Sequence, residues 1–79
     1  MIDPEQQRDI EASVFRRLLH HLDNNSDVQN IDLMILAGFC RNCLSKWYMA
    51  AAEDQGANLS IEQAQEAVYG IPYSSWKKL

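Results

Sequence analysis

Long apolar runs are missing from this chain. No window approaches the ~20 consecutive apolar residues that a membrane-spanning helix needs. The start, Met1-Ile2-Asp3-Pro4-Glu5, has neither the cationic opening nor the apolar stretch of a secretory signal. A membrane partner is thereby set aside and a cytoplasmic location is expected. Positive charge is scarce too: seven Lys and Arg stand against eleven Asp and Glu, for a net charge of −4. That balance argues against nucleic acid as a partner, because a sequence-independent grip on phosphates needs a cationic surface. Strand-like alternation, low-complexity tracts, internal repeats and a linker are also absent, which points to a single all-α domain over residues 1–79. Cysteine is limited to two residues. In a reducing compartment these are expected to be free, metal-bound or redox-active rather than a structural staple.

What is present suits a small folded protein. Of 79 residues, 47% are hydrophobic and 23% charged, an ordinary globular balance. The core must be thin, since a chain of this size buries only about 60–65% of its unfolded surface. Small domains often recruit a disulfide, a metal or a second copy of themselves, so a homodimer or a helical protein partner is expected.

Helix signals divide the chain. Asp3 reads as an N-cap, with Pro4 in the first helical position and Gln6 completing a capping box. Ile10, Val14, Phe15, Leu18, Leu19 and Leu22 then recur at helical spacing up to Leu22 or Asp23. Asn24-Asn25-Ser26-Asp27 breaks the pattern. Either Ser26 or Asp27 caps a second helix from Val28, or Asn30 caps one from Ile31. That helix is expected to run to Gly56, a natural left-handed terminus, with Gly38 inside it as a kink or a point of close approach. Ser60 and Gln63 open a third helix that Gly70 ends. Pro72 then opens a short fourth helix whose aromatics pin it to the core. The expected fold is a small helical bundle of three main helices, with a long central helix and a short C-terminal one.

The segment Gly38-Phe39-Cys40-Arg41-Asn42-Cys43-Leu44-Ser45-Lys46-Trp47-Tyr48 concentrates the chemistry. If it lies mid-helix, Cys40 and Cys43 share a face with Cβ atoms about 5–6 Å apart, wider than the ~3.8 Å of a disulfide. Thiol redox catalysis is then disfavoured. Zinc would need His20 or His21 as further ligands, and neighbouring histidines point about 100° apart on a helix, so no metal ligands are assigned. Packing is the plainer reading, with Leu36, Cys40, Cys43, Leu44, Trp47 and Ala51 in one helical row and Phe39, Cys43 and Trp47 in a second. Arg41 and Lys46 have no carboxylate one turn away, in a stretch from Leu33 to Met49 that contains no acid. Each needs water, an ion pair such as Asp27 or Asp32 offers, or an anionic ligand. Arg41 with Asn42 has the fork and the amide to clamp a small carboxylate or phosphate. The candidate binding residues are therefore Cys40, Arg41, Asn42, Cys43, Trp47, Tyr48, Tyr73 and Trp76. No nucleophile–base pair can be placed, so no catalytic residue is assigned, and no cofactor is specified.

Four motifs carry a family resemblance: RRLL-x-HL at Arg16–Leu22, SDVQNIDLM at Ser26–Met34, LAGFCRNCLSKWY at Leu36–Tyr48 and YG-x-PY-x-x-W at Tyr69–Trp76. Over nearly the whole chain they resemble the small bacterial proteins of domain of unknown function family 1244. The resemblance implies a compact, all-helical bacterial protein. It brings no catalytic role for any residue. Together these readings favour a non-enzymatic interaction or dimerisation module. The alternative is a small anion- or metal-binding site built around Cys40-Arg41-Asn42-Cys43.

Overall fold

The computed structural model describes residues Met1–Leu79 and contains helices and no strand. In chain order they are α1 (Pro4–Asp23), α2 (Asn30–Ala37), α3 (Arg41–Asp54), α4 (Ile61–Tyr69) and α5 (Tyr73–Trp76). The all-α class is as expected.

Helix ends follow their capping chemistry. At α1 the Gln6 amide donates to Asp3 Oδ1 at 2.8 Å while the Asp3 amide donates to Gln6 Oε1 at 3.1 Å. Two amides that the helix cannot satisfy are thus paired reciprocally. Ser60 and Gln63 repeat the arrangement at α4, with bonds of 3.1 and 2.9 Å. Gly70, at φ 80°, ends α4 in the left-handed conformation that glycine adopts without a Cβ clash.

The expected long central helix is instead two helices. Gly38 adopts φ 75° and caps α2, its amide donating to the Met34 carbonyl at 3.0 Å. Cys40 then turns fully extended (φ −144°, ψ −179°) as the N-cap of α3. Glycine permits the left-handed turn, and the extended cap prevents the helical ladder from resuming without a break. The longest helix is therefore α1, and the C-x-x-C pair lies at a helix start rather than in mid-helix. The single apolar row expected through Leu36, Cys40, Leu44 and Trp47 is dissolved by the same turn. Cys40 and Leu44 are buried, whereas Leu36 is 84% and Trp47 58% exposed.

The core gathers Leu22, Leu44, Val68, Tyr69 and Trp76, with Phe15, Leu18, Leu19, Leu33, Phe39 and Tyr73 packed against it. Helix α4 is its axis: α3 lies along it, and α1 and α5 also touch it. The shape is drawn out, 42 × 28 × 21 Å, with a radius of gyration of 13.7 Å. A compact chain of this length has a radius nearer 11.6 Å by the usual scaling, on the order of 15% less. No helix is long and apolar enough to cross a membrane.

Candidate functional site

Arg41 is the first residue of α3 and the only charged side chain in the buried set, 2% exposed. A cation at a helix start opposes the local dipole, so its burial there needs compensation. The compensation comes from oxygen atoms of other segments. Nη1 donates to the Val28 carbonyl at 2.7 Å and to Asn30 Oδ1 at 3.2 Å. Nη2 donates to the Leu22 and Asn25 carbonyls at 3.3 and 3.0 Å. Leu22 and Asn25 belong to the C-terminal end of α1 and the turn beyond it, where each carbonyl also accepts one turn amide, from Asn25 and Val28 at 3.1 and 3.0 Å, and the dipole favours a cation. The guanidinium carbon also lies 5.0 Å from the Trp76 ring centroid, within cation–π reach. One side chain thus joins the end of α1, the loop, the start of α2 and helix α5.

A second layer of polar groups locks this arrangement. Asn30 Oδ1 also accepts the Arg41 main-chain amide at 3.2 Å, and Asn30 Nδ2 donates to the Tyr69 hydroxyl at 3.1 Å. That hydroxyl in turn donates to Asn42 Oδ1 at 2.7 Å. Helices α2, α3 and α4 are therefore tied by one chain of hydrogen bonds. Burial pushes the Tyr69 phenol above its ordinary 10.0, outweighing the stabilising bond from Asn30. No buried side-chain nitrogen or oxygen is left without a partner, as a buried polar network requires.

The structure separates the sequence candidates into different surroundings. Arg41 and Asn42 face this network, and all four terminal N–H groups of Arg41 are engaged within the chain. Neither Asp27 nor Asp32 takes the Arg41 charge; Asp32 Oδ2 instead accepts the Gln29 amide at 2.9 Å. Trp76 and Tyr73 stack on each other and both meet Tyr69 at a tilt, at centroid distances of 4.8–6.4 Å. Tyr48 stacks on Phe15 of α1, and Trp47 on Phe39, each at 6.2 Å. Cys40 and Cys43 carry free thiols with their sulfur atoms 3.7 Å apart. His20 lies beside Asn24, 3.3 Å from its amide, and no three His, Cys, Asp or Glu side chains cluster in the molecule. Tyr73 and Trp76, with Asn30 and Lys77, line an open hollow of about 530 Å³ beside the 26–31 loop.

Sequence reasoning does not single out Asn30 and Tyr69 for the site. Asn30 reads there as a helix cap, and the nearby Gln29, a weak capping residue type, takes that place in the structure. The available signal is chemical: a tyrosine inside a thin core needs a partner for its hydroxyl.

Arg41 and its hydrogen-bonded partners form a polar knot, and the two motifs that supply most of its side chains, Leu36–Tyr48 and Tyr69–Trp76, fall inside a family model described as protein of unknown function, DUF1244, which matches residues 28–79. The chain belongs to the DUF1244 family. The DUF1244 match takes in α2 to α5 and leaves α1 outside it. Most of the knot lies within the DUF1244 region; the carbonyls of Leu22 and Asn25 lie before it. A search of curated proteins finds no match to the chain.

Proposed function

We propose that this protein is a helical self-association module whose interface centres on α2 and the adjoining start of α3. The observation that carries the reading is surplus surface. The chain exposes 6045 Å², whereas a compact monomer of 9.1 kDa exposes about 4,900 Å² by the usual scaling. The excess, roughly 1,100 Å², exceeds the ~800 Å² that each partner contributes to a standard interface. Exposed apolar side chains, which also occur on α1 at Ile10 and Val14, are densest on α2. Helix α2 has no buried residue, and Ile31, Ile35 and Leu36 are 64%, 79% and 84% exposed.

The patch continues into α3. Met34 meets Cys43, 3.9 Å between sulfurs, and Cys43 shares a helical face with Trp47, which stacks on Phe39. Apolar continuity of this kind marks interaction surfaces. A second copy is the favoured occupant because a two-fold interface sets the same apolar patch of both copies face to face. From Leu33 to Cys40 there is no charged side chain, so two copies meet here without like-charge repulsion. Elsewhere the net charge of −4 opposes contact between copies.

Sedimentation velocity tests the reading. The wild-type chain is expected to be dimeric at tens of micromolar, and Leu36→Glu to be monomeric with unchanged helical circular dichroism. A wild-type monomer at high micromolar concentration overturns self-association. The anion-clamp reading of Arg41 and Asn42 has less support, because the arginine's terminal donors are already taken.

A further inference from the structure

Three sulfur atoms are linked by two close contacts where α2 turns into α3. Cys40 Sγ lies 3.7 Å from Cys43 Sγ, and Cys43 Sγ lies 3.9 Å from Met34 Sδ. The backbone accounts for the meeting. Side chains at the N-cap and the third helical position approach one another, as in a capping box, and Cys40 and Cys43 occupy those two positions of α3. The left-handed turn at Gly38 brings the last turn of α2, with Met34, back beside them.

We propose that Cys40, Cys43 and Met34 form a three-sulfur site for a soft monovalent metal ion, copper(I). The spacing fits ligation. With metal–sulfur bonds of about 2.3 Å, as at thiolate-bound zinc, trigonal coordination separates sulfurs by about 4 Å. The two contacts, 3.7 and 3.9 Å, need adjustments of a few tenths of an ångström, and ligation requires Met34 Sδ to swing about Cys43 to the same ~4 Å from Cys40 Sγ. A disulfide, with a bond near 2.05 Å, requires the two thiols to close by roughly 1.7 Å.

The donor set selects the metal. Zinc favours four closed ligands drawn from Cys, His and carboxylates, and no third His, Asp or Glu joins the two cysteines. Thiolates with a thioether favour copper(I), which is soft. Binding is not a redox step: the two thiols release their protons, and the resulting complex carries one net negative charge. The site lies at the start of the 14-residue α3, which no side chain caps. The positive end of that helix offsets the charge. In the single chain Met34 is 43% exposed and Cys43 half-buried, so an ion reaches the buried Cys40 from their side.

The test is anaerobic titration of the reduced full chain with copper(I) against a chromophoric copper(I) chelator, bathocuproine disulfonate. It is run in parallel on Leu36→Glu, so that loss of self-association and loss of copper binding are read separately. One equivalent is expected to be withdrawn from the chelator by either chain. Met34→Leu, a volume-conserving change, is expected to weaken binding at least about tenfold, equivalent to about 1.4 kcal/mol. Cys43→Ser is expected to abolish it with helical circular dichroism intact. Failure to compete with the chelator overturns the site, as does binding unaffected by Met34→Leu. Preferential uptake of zinc in a mixed-metal competition overturns the choice of metal.

Discussion

Residues Asn30 and Ile31 are neighbours in sequence, yet they belong to opposite regimes. Asn30 turns into the knot around Arg41, bonded to Arg41 and to Tyr69. Ile31 begins the exposed apolar face of α2, 64% open to solvent. The inversion is instructive: in this protein part of the interior is polar and part of the surface is apolar. A nine-residue buried set cannot stabilise the fold by area alone, so directional bonds to one arginine help to fix how the helices meet. The apolar residues left outside have no role in the isolated chain that would explain their number.

Removing the arginine should damage the polar interior more than any other single change. Arg41→Ala takes the donor from the Val28 carbonyl and the charged donor from the Leu22 and Asn25 carbonyls, which keep only their turn amides, and bonds to a charged donor are worth about 1.5–3 kcal/mol each. A loss of at least about 3 kcal/mol is expected, enough to unfold much of a small domain. Urea denaturation followed by circular dichroism measures it. Arg41→Lys should recover part of this loss, because an ammonium cannot reproduce the planar fork.

A milder change within the knot is Tyr69→Phe. It removes the hydroxyl that links Asn30 to Asn42, and a cost of about 1–2 kcal/mol is expected. The same variant reports on alkaline pH. Tyr69 has its pKa raised by burial, so the unfolded chain gives up this proton first. Its contribution is complete below the ordinary value of 10.0 and declines as pH rises through and above it. Between neutral pH and pH 11 or so, Tyr69→Phe should therefore lose less stability than the wild type, and denaturation midpoints across that range measure the difference.

At the border of the two regions, Gly38→Ala forces a Cβ into φ 75° and should cost about 1 kcal/mol, read as a lowered melting midpoint. The smallest effect on the fold belongs to α2. Leu36→Glu is expected to change the stability of the monomer by less than about 0.5 kcal/mol, since the side chain has little packing to lose. Its consequence should appear in sedimentation, where the knot variants that still fold remain associated.

Much of the helical layout is legible in the residue order because it depends on local chemistry. Asp3 with Gln6, Ser60 with Gln63, and Gly70 each satisfy helix ends through atoms three or four positions away. The break at Gly38 is less legible. Glycine either sits within a helix at modest cost or ends it, and residue type alone does not choose between the two.

The candidate site shows the same division. That Arg41 needs partners follows from the absence of acids between Leu33 and Met49. That those partners are three main-chain carbonyls and an asparagine does not follow, since every residue carries a carbonyl and nothing in the residue type marks which ones a distant arginine will reach. Residue order alone suffices for an all-α chain with capped helices, a family membership and an acid-free segment around the two cysteines. Helix packing is what puts Arg41 inside and Leu36 outside, and stands Met34 beside Cys43. The reason is range: caps act within one turn, whereas these placements depend on how helices far apart in sequence meet.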